Sequence, residues 1–141
     1  MIKRLKNERG TALLETAITI PLVLVVTVSI FEFGRAYQTW QVLTNAAREG
    51  ARVAVIAGNS DTQVTDAVRS YLQNGRLPSY ASASVSINRN VPFGATTAST
   101  VTVTYPFQFT VLNPVIRLLQ QGSTTGQGTT TMGASATMRN E

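Results

Sequence analysis

The sequence predicts an α+β fold, a long N-terminal helix packed on a small antiparallel sheet with one or two short helices. Three observations carry this expectation. Helical spacing of apolar residues runs almost without interruption from Thr11 to about Ala57. A second, shorter helical pattern follows, capped by Ser60 or Asp61 and running through about Asn74. The period then changes to two, with Val85 and Ile87 alternating with serines, and Val101, Val103, Tyr105, Phe107, Phe109 and Val111 alternating with other residues. With 141 residues there is room for one compact domain besides an apolar anchor.

The first part of the helical pattern is too apolar for a surface helix. From Thr11 to Phe31 the only charged residue is Glu15, and these 21 residues are long enough to cross a hydrocarbon layer of about 30 Å. Ile18 to Phe31 is apolar all round rather than along one stripe. Lys3, Arg4, Lys6 and Arg9 precede this segment and no lysine follows it, which predicts a cytoplasmic N-terminus and a C-terminal domain outside the cytoplasm. A conventional cleaved signal is disfavoured, because Glu32, Phe33, Gly34 and Arg35 follow the apolar run where small residues would be needed. Pro21 lies inside the span, so a kink or local break is expected between Ile18 and Pro21. The expected division is a basic leader at 1–10, a transmembrane helix at 11–31 and an extracytoplasmic domain at 32–141, whose stalk is helical over 32–57.

In the stalk, Phe33, Ala36, Trp40, Leu43, Ala47, Ala51 and Ala54 are spaced three or four apart and read as the buried stripe. Trp40 belongs to that stripe and is expected in the core, although one to two turns past the span it and Tyr37 could also reach the headgroup level. Glu32 with Arg35, and Glu49 with Arg52, stand at i,i+3 and read as solvated pairs. Ala46, Ala47, Gly50, Ala51 and Ala54 leave one side nearly smooth, open to close approach by the chain's own sheet or by a partner helix. Gly58-Asn59 ends the helix.

Ser60 or Asp61 can cap the second helix, with Val64, Ala67, Val68, Tyr71 and Leu72 as its apolar face and Gly75 as its stop. The run from Val101 to Val111 is the clearest strand. Pro106 within it cannot donate to a ladder, which predicts an edge strand or a bulge there. Asn113-Pro114 begins a short helix to Gln121, Gly122 to Gly128 is a flexible stretch, and Thr130 to Arg139 is a final strand.

Composition excludes several function classes. With no His, no Cys and lysines only before Gly10, the chain lacks the usual nucleophile and proton-transfer pairs and reads as no enzyme. Metal sites of the His/Cys type are absent, no calcium-loop spacing occurs, and no cofactor or small-molecule substrate is implied. Asp61 and Asp66 would stand about 140° apart on a helix and form no dyad. The net charge of +5 comes mainly from the first ten residues; beyond Gly10, eight arginines scatter among six carboxylates, which is no nucleic-acid surface.

The N-terminal order is specific: a basic run, Gly10, Thr11, then Glu15, then the apolar segment. It resembles the class III signal of type IV pilins, which a membrane aspartyl prepilin peptidase cuts after the glycine. The resemblance makes Gly10 the last leader residue, Thr11 the mature N-terminus and Glu15 the fifth mature residue. Physically, glycine leaves the scissile backbone unobstructed and permits an extended conformation beside a helix start. Glu15 stands out on its own terms, since a carboxylate in an apolar span costs several kcal/mol unless neutral or paired.

Further along, Phe31-Glu32-Phe33-Gly34-Arg35-Ala36 and Asn45-Ala46-Ala47-Arg48-Glu49-Gly50-Ala51-Arg52 are similar to the TadE-like family of tight-adherence pilus proteins, as is the closing Ala136-Thr137-Met138-Arg139-Asn140-Glu141. Thr16 departs from the aromatic that this family usually carries after the glutamate. The resemblance implies a minor pilin or pseudopilin of the inner membrane, a prepilin peptidase substrate that assists assembly of a Flp-type pilus alongside other pilins or assembly proteins. The competing expectation is a permanently membrane-tethered binding module.

Overall fold

A computed structural model of the chain describes residues 8–111, 113 and 129–140. The leader residues Lys3, Arg4 and Lys6, the expected helix from Pro114 to Gln121 and the Gly122–Gly128 stretch lie outside them. The described residues form an α+β fold: helix α1 (Glu8–Ala54), helix α2 (Asp61–Asn74), a single 3₁₀ turn (Tyr80–Ser82) and strands β1 (Ser84–Phe93), β2 (Thr96–Phe107) and β3 (Thr130–Arg139). The sheet is antiparallel in the order β1-β2-β3.

The apolar segment and the stalk are one helix of 47 residues, and it runs unbroken through Pro21. It stops at Ala54, three residues short of the expected end, and Gly58 at φ +88° turns the chain away. Two side chains from elsewhere complete the helix end. Arg89 of β1 donates to the Ala54 carbonyl (2.9 Å), the Asn59 carbonyl (2.9 Å) and Asp61 (2.8 Å), while the Asn59 amide donates to the Val53 carbonyl (2.9 Å). Of the last carbonyls of α1, Ala54 is thereby tied to the sheet and Val53 to the loop that follows the helix. α2 begins with a complete capping box, Ser60 with Gln63, and buries Val64, Val68 and Leu72.

One face of the sheet carries the core. Val101, Val103, Tyr105 and Phe107 of β2 are buried under α1, with Val85, Ile87, Met132, Ala134, Ala136 and Met138 around them. The other face is a layer of small polar side chains in register, with Ser86 beside Thr102 beside Ser135 and Asn88 beside Thr100 beside Thr137. Hydroxyl pairs cross that layer, Thr100 with Thr137 at 2.7 Å and Thr102 with Ser135 at 3.1 Å.

The expectation for Pro106 needs correction. β2 is the central strand, and the bulge falls on β1 between Asn88 and Val91, where Asn90 takes φ +61°. Pro106 is tolerated because β1 pairs with β2 only as far as Thr104, so Pro106 has β3 alone beside it.

The smooth side of α1 faces the chain's own domain. Ala46, Ala47, Ala51 and Ala54 are buried, and a Cβ added at Gly50 would stand 2.6 Å from Val68 Cγ2 of α2 and 3.0 Å from Val101 Cγ1 of β2. Gly50 is thus where helix, helix and sheet converge. Gly75 serves a similar contact, because its added Cβ would meet Val42 Cγ1 at 2.6 Å. Its φ is −71°, so close approach rather than a left-handed turn requires glycine there.

Candidate functional site

The N-terminal part of α1 stands free of the domain. Every residue from Thr11 to Thr27 is exposed within the chain, including Leu14, Ile18, Leu22 and Val26. Among the described residues α1 is the one helix long and apolar enough to cross a membrane. Three of its hydroxyls turn back on their own backbone, Thr16 to the Ala12 carbonyl (2.8 Å), Thr27 to Val23 (2.8 Å) and Ser29 to Val25 (2.7 Å). That disposes of their polarity in an apolar surrounding. Glu15 has no such recourse: its carboxylate is exposed and has no hydrogen-bond or ion-pair partner among the described residues. Gly10 is already helical, the third residue of α1, so the Gly10–Thr11 bond lies within the first turn. A glycine there weakens that turn by about 1 kcal/mol relative to alanine, which eases its unwinding.

Where the exposed helix meets the domain, a polar clamp closes on it. Glu32 is 5% exposed, and its two oxygens accept the backbone N–H groups of Thr110 (3.0 Å) and Val111 (3.3 Å). Arg35 donates to Thr110 Oγ1 (2.5 Å) and to the Gln108 carbonyl (2.5 Å), stands 3.5 Å from Glu32, and lies over the Phe107 ring at 5.2 Å. Phe109 bridges the same junction, edge-on to Phe107 at 5.1 Å and to Phe33 at 6.3 Å. The turn that follows β2 is thereby fastened to the base of the free helix. The solvated-pair reading of Glu32 and Arg35 is therefore corrected: Glu32 is a buried acceptor for chain nearly eighty positions away. Glu49 and Arg52 do form an exposed pair (2.6 Å), and the Arg52 hydrogen bond holds the Glu49 carboxyl below its ordinary range. Such a pair contributes little to stability.

The expected place of Trp40 is also corrected. It is 44% exposed and rests against Tyr37 (ring centroids 6.0 Å apart), while Phe33 is 63% exposed. The buried stripe is instead Glu32, Thr39, Leu43, Ala46, Ala47, Gly50, Ala51 and Ala54. Thr39 enters it by returning its hydroxyl to the Arg35 carbonyl at 3.0 Å.

Residues 10–52 match the family model of TadE-like proteins. No curated protein and no solved structure matches the chain. The TadE-like segment contains Gly10, Thr11, Glu15 and Pro21, the clamp residues Glu32 and Arg35, and Gly50 at the convergence of the core. It ends two residues before α1 does, and α2 and the sheet lie outside it.

Of the residues that the sequence marks, the structure sets Gly10, Thr11, Glu15 and Pro21 along the free helix. The residues that pattern reading missed are Glu32 as a buried acceptor and Arg89 as the cap of α1. A signal for Glu32 was present: it stands seven residues, two helical turns, before Thr39, on the face that Leu43, Ala46 and Gly50 continue at steps of three to four. Arg89 offered none, because its partners are 28 to 35 residues away in the chain.

Proposed function

We propose that this chain is a non-enzymatic, pilin-like component that assists assembly of a bacterial tight-adherence, Flp-type pilus. The observation that carries the reading is the coincidence of the TadE-like match with a helix whose first half is apolar and free of its own domain. The TadE-like family is associated with the tight-adherence pilus and is generally non-enzymatic. An apolar helix continuous with the first helix of a small domain suits a subunit that is held in the membrane and packs against neighbouring helices.

On this reading residues 1–10 are a cytoplasmic leader whose Lys3, Arg4, Lys6 and Arg9 set the orientation. Prepilin peptidase removes it after Gly10, leaving Thr11 as the mature N-terminus. The domain, 32–141, faces outward from the inner membrane, and Pro21 bends the span. Glu15 takes up the amino terminus of its own or a neighbouring subunit, since an unpaired carboxylate in hydrocarbon is costly. The apolar positions supply contact area and the ion pair supplies register.

Intact-mass spectrometry of the chain from cells that carry the cognate peptidase tests the processing step. The expected species begins at Thr11, and Gly10→Val should remain full length. A chain still beginning at Met1 would favour a permanently tethered domain instead.

A further inference from the structure

Of the two charges that follow the apolar run in the sequence, Glu32 is buried, and Arg35, 43% exposed at its side chain, is tied down along the surface. The Glu32 carboxylate is turned inward onto two backbone N–H groups, and the Arg35 guanidinium is held by Gln108, Thr110 and Glu32. Aromatic rings face outward at this level, with the half-exposed Arg35 and the exposed Gln38 beside them. Phe33 (63% exposed), Tyr37 and Trp40 follow one another at i, i+4 and i+7 on one side of α1, and Val111 (41% exposed) extends the surface onto the turn beside Phe109.

We infer that the lipid-contacting surface of this protein extends past Phe31 to Trp40 and includes the Gln108–Val111 turn, so that the domain rests in the headgroup layer of the bilayer. This rests on the reading of α1 as a membrane span. From Glu15 to Arg35 the helical rise is about 30 Å, the thickness of the hydrocarbon layer. Placing Glu15 just inside one hydrocarbon edge, one helical turn below the Thr11 amine in the headgroup layer, puts Arg35 at the other edge. Tyr37 then stands about 3 Å and Trp40 about 7.5 Å beyond it, which puts Tyr37 inside and Trp40 at the outer limit of a headgroup layer of roughly 5–7.5 Å on each side. Tyr and Trp, each with an apolar ring and a polar edge, are the side chains that favour this layer. The clamp is what allows it. A carboxylate and exposed backbone N–H groups near hydrocarbon are costly singly, and here each satisfies the other. The occupant is thus the lipid interface, continuous with the span, rather than a protein groove.

Trp40 is the only tryptophan in the chain, so its fluorescence reports this position alone. The test uses the full chain in phosphatidylcholine/phosphatidylglycerol vesicles doped with phosphatidylcholine brominated either near the carbonyl end or near the methyl end of its acyl chains. At a low protein-to-lipid ratio, Trp40 should lose more emission to the shallow bromines than to the deep ones, and should be shielded from iodide. Moving the reporter, with Trp40→Phe and Phe109→Trp together, should give the same shallow preference for the turn. Iodide access without bromine quenching, in protein that sediments with vesicles, would place Trp40 in water, end the span near Phe31 and overturn the inference. Shielding that appears only when the protein is crowded would assign the surface to a second copy and likewise overturn it. Protein that fails to sediment with vesicles would overturn the membrane reading itself.

Discussion

Replacing Glu32 by alanine should undock the turn that follows β2 from the base of the free helix. The side chain is almost wholly buried, and its removal strips the acceptors from the N–H groups of Thr110 and Val111. A hydrogen bond to a charged group contributes about 1.5–3 kcal/mol net, and water can refill part of this site near the surface, so the expected local loss is about 2–4 kcal/mol. Arg35 keeps Gln108 and Thr110 Oγ1, which confines the effect to the turn. Amide hydrogen exchange on the full chain in detergent micelles reads it directly. At about 1.4 kcal/mol per factor of ten, the Thr110 and Val111 amides of Glu32→Ala should exchange roughly 30- to 1,000-fold faster, up to the limit set by free opening of the turn. Glu32→Gln keeps one acceptor oxygen and offers a donor where the second was, so about half of the loss is expected. Unchanged exchange at both amides in Glu32→Ala would refute the clamp.

Gly50→Ala should destabilise the domain by about 1 kcal/mol, because overpacking of about 1–3 kcal/mol outweighs a helix-propensity gain of about 1 kcal/mol. Val68→Ala, which removes the methyl that the new Cβ would meet at 2.6 Å, should recover part of that loss in the double mutant, and strictly additive melts would contradict the close approach. Tyr105 donates its hydroxyl to the Pro78 carbonyl, and burial raises its phenol above the ordinary value, so Tyr105→Phe should cost about 1 kcal/mol. Because the folded state holds that proton more tightly than the unfolded state, stability should be full below the ordinary tyrosine value of about 10 and fall as pH rises through the folded value. Melts at rising alkaline pH should lose this decline in Tyr105→Phe, and an identical decline in both proteins would assign it to other groups.

The elements were legible wherever local physics decides them. The unbroken helical period gave α1, Ser60 and Gly75 bracketed α2, and alternation gave β3 and the Val101–Phe107 part of β2, which begins earlier, at Thr96, and stops before Phe109 and Val111. What was not legible depends on chain that returns from far away. Phe33 and Trp40 drew the stripe one position off because size and apolarity favour a core, whereas on the lipid placement inferred above these rings have a second apolar surrounding. Glu32 was misread for the complementary reason, since a charge three residues from an arginine looks solvated until the Thr110 and Val111 N–H groups arrive beside it. Pro106 was read as an edge signal and is locally one, although its strand is central, because β1 begins only at Ser84, opposite Thr104, and leaves the end of β2 beyond it unpaired on that side.

Glu15 separates an assembly protein from an anchored domain, because Glu15→Gln keeps the shape of the free helix and removes its charge. Cells that express this variant in a tight-adherence system should be assayed together for leader cleavage, membrane fraction and surface pili. Normal cleavage and insertion with loss of pili and of co-purifying pilus partners is the predicted result. Wild-type pili with Glu15→Gln would contradict it and leave Glu15 as an interfacial residue of a tethered domain.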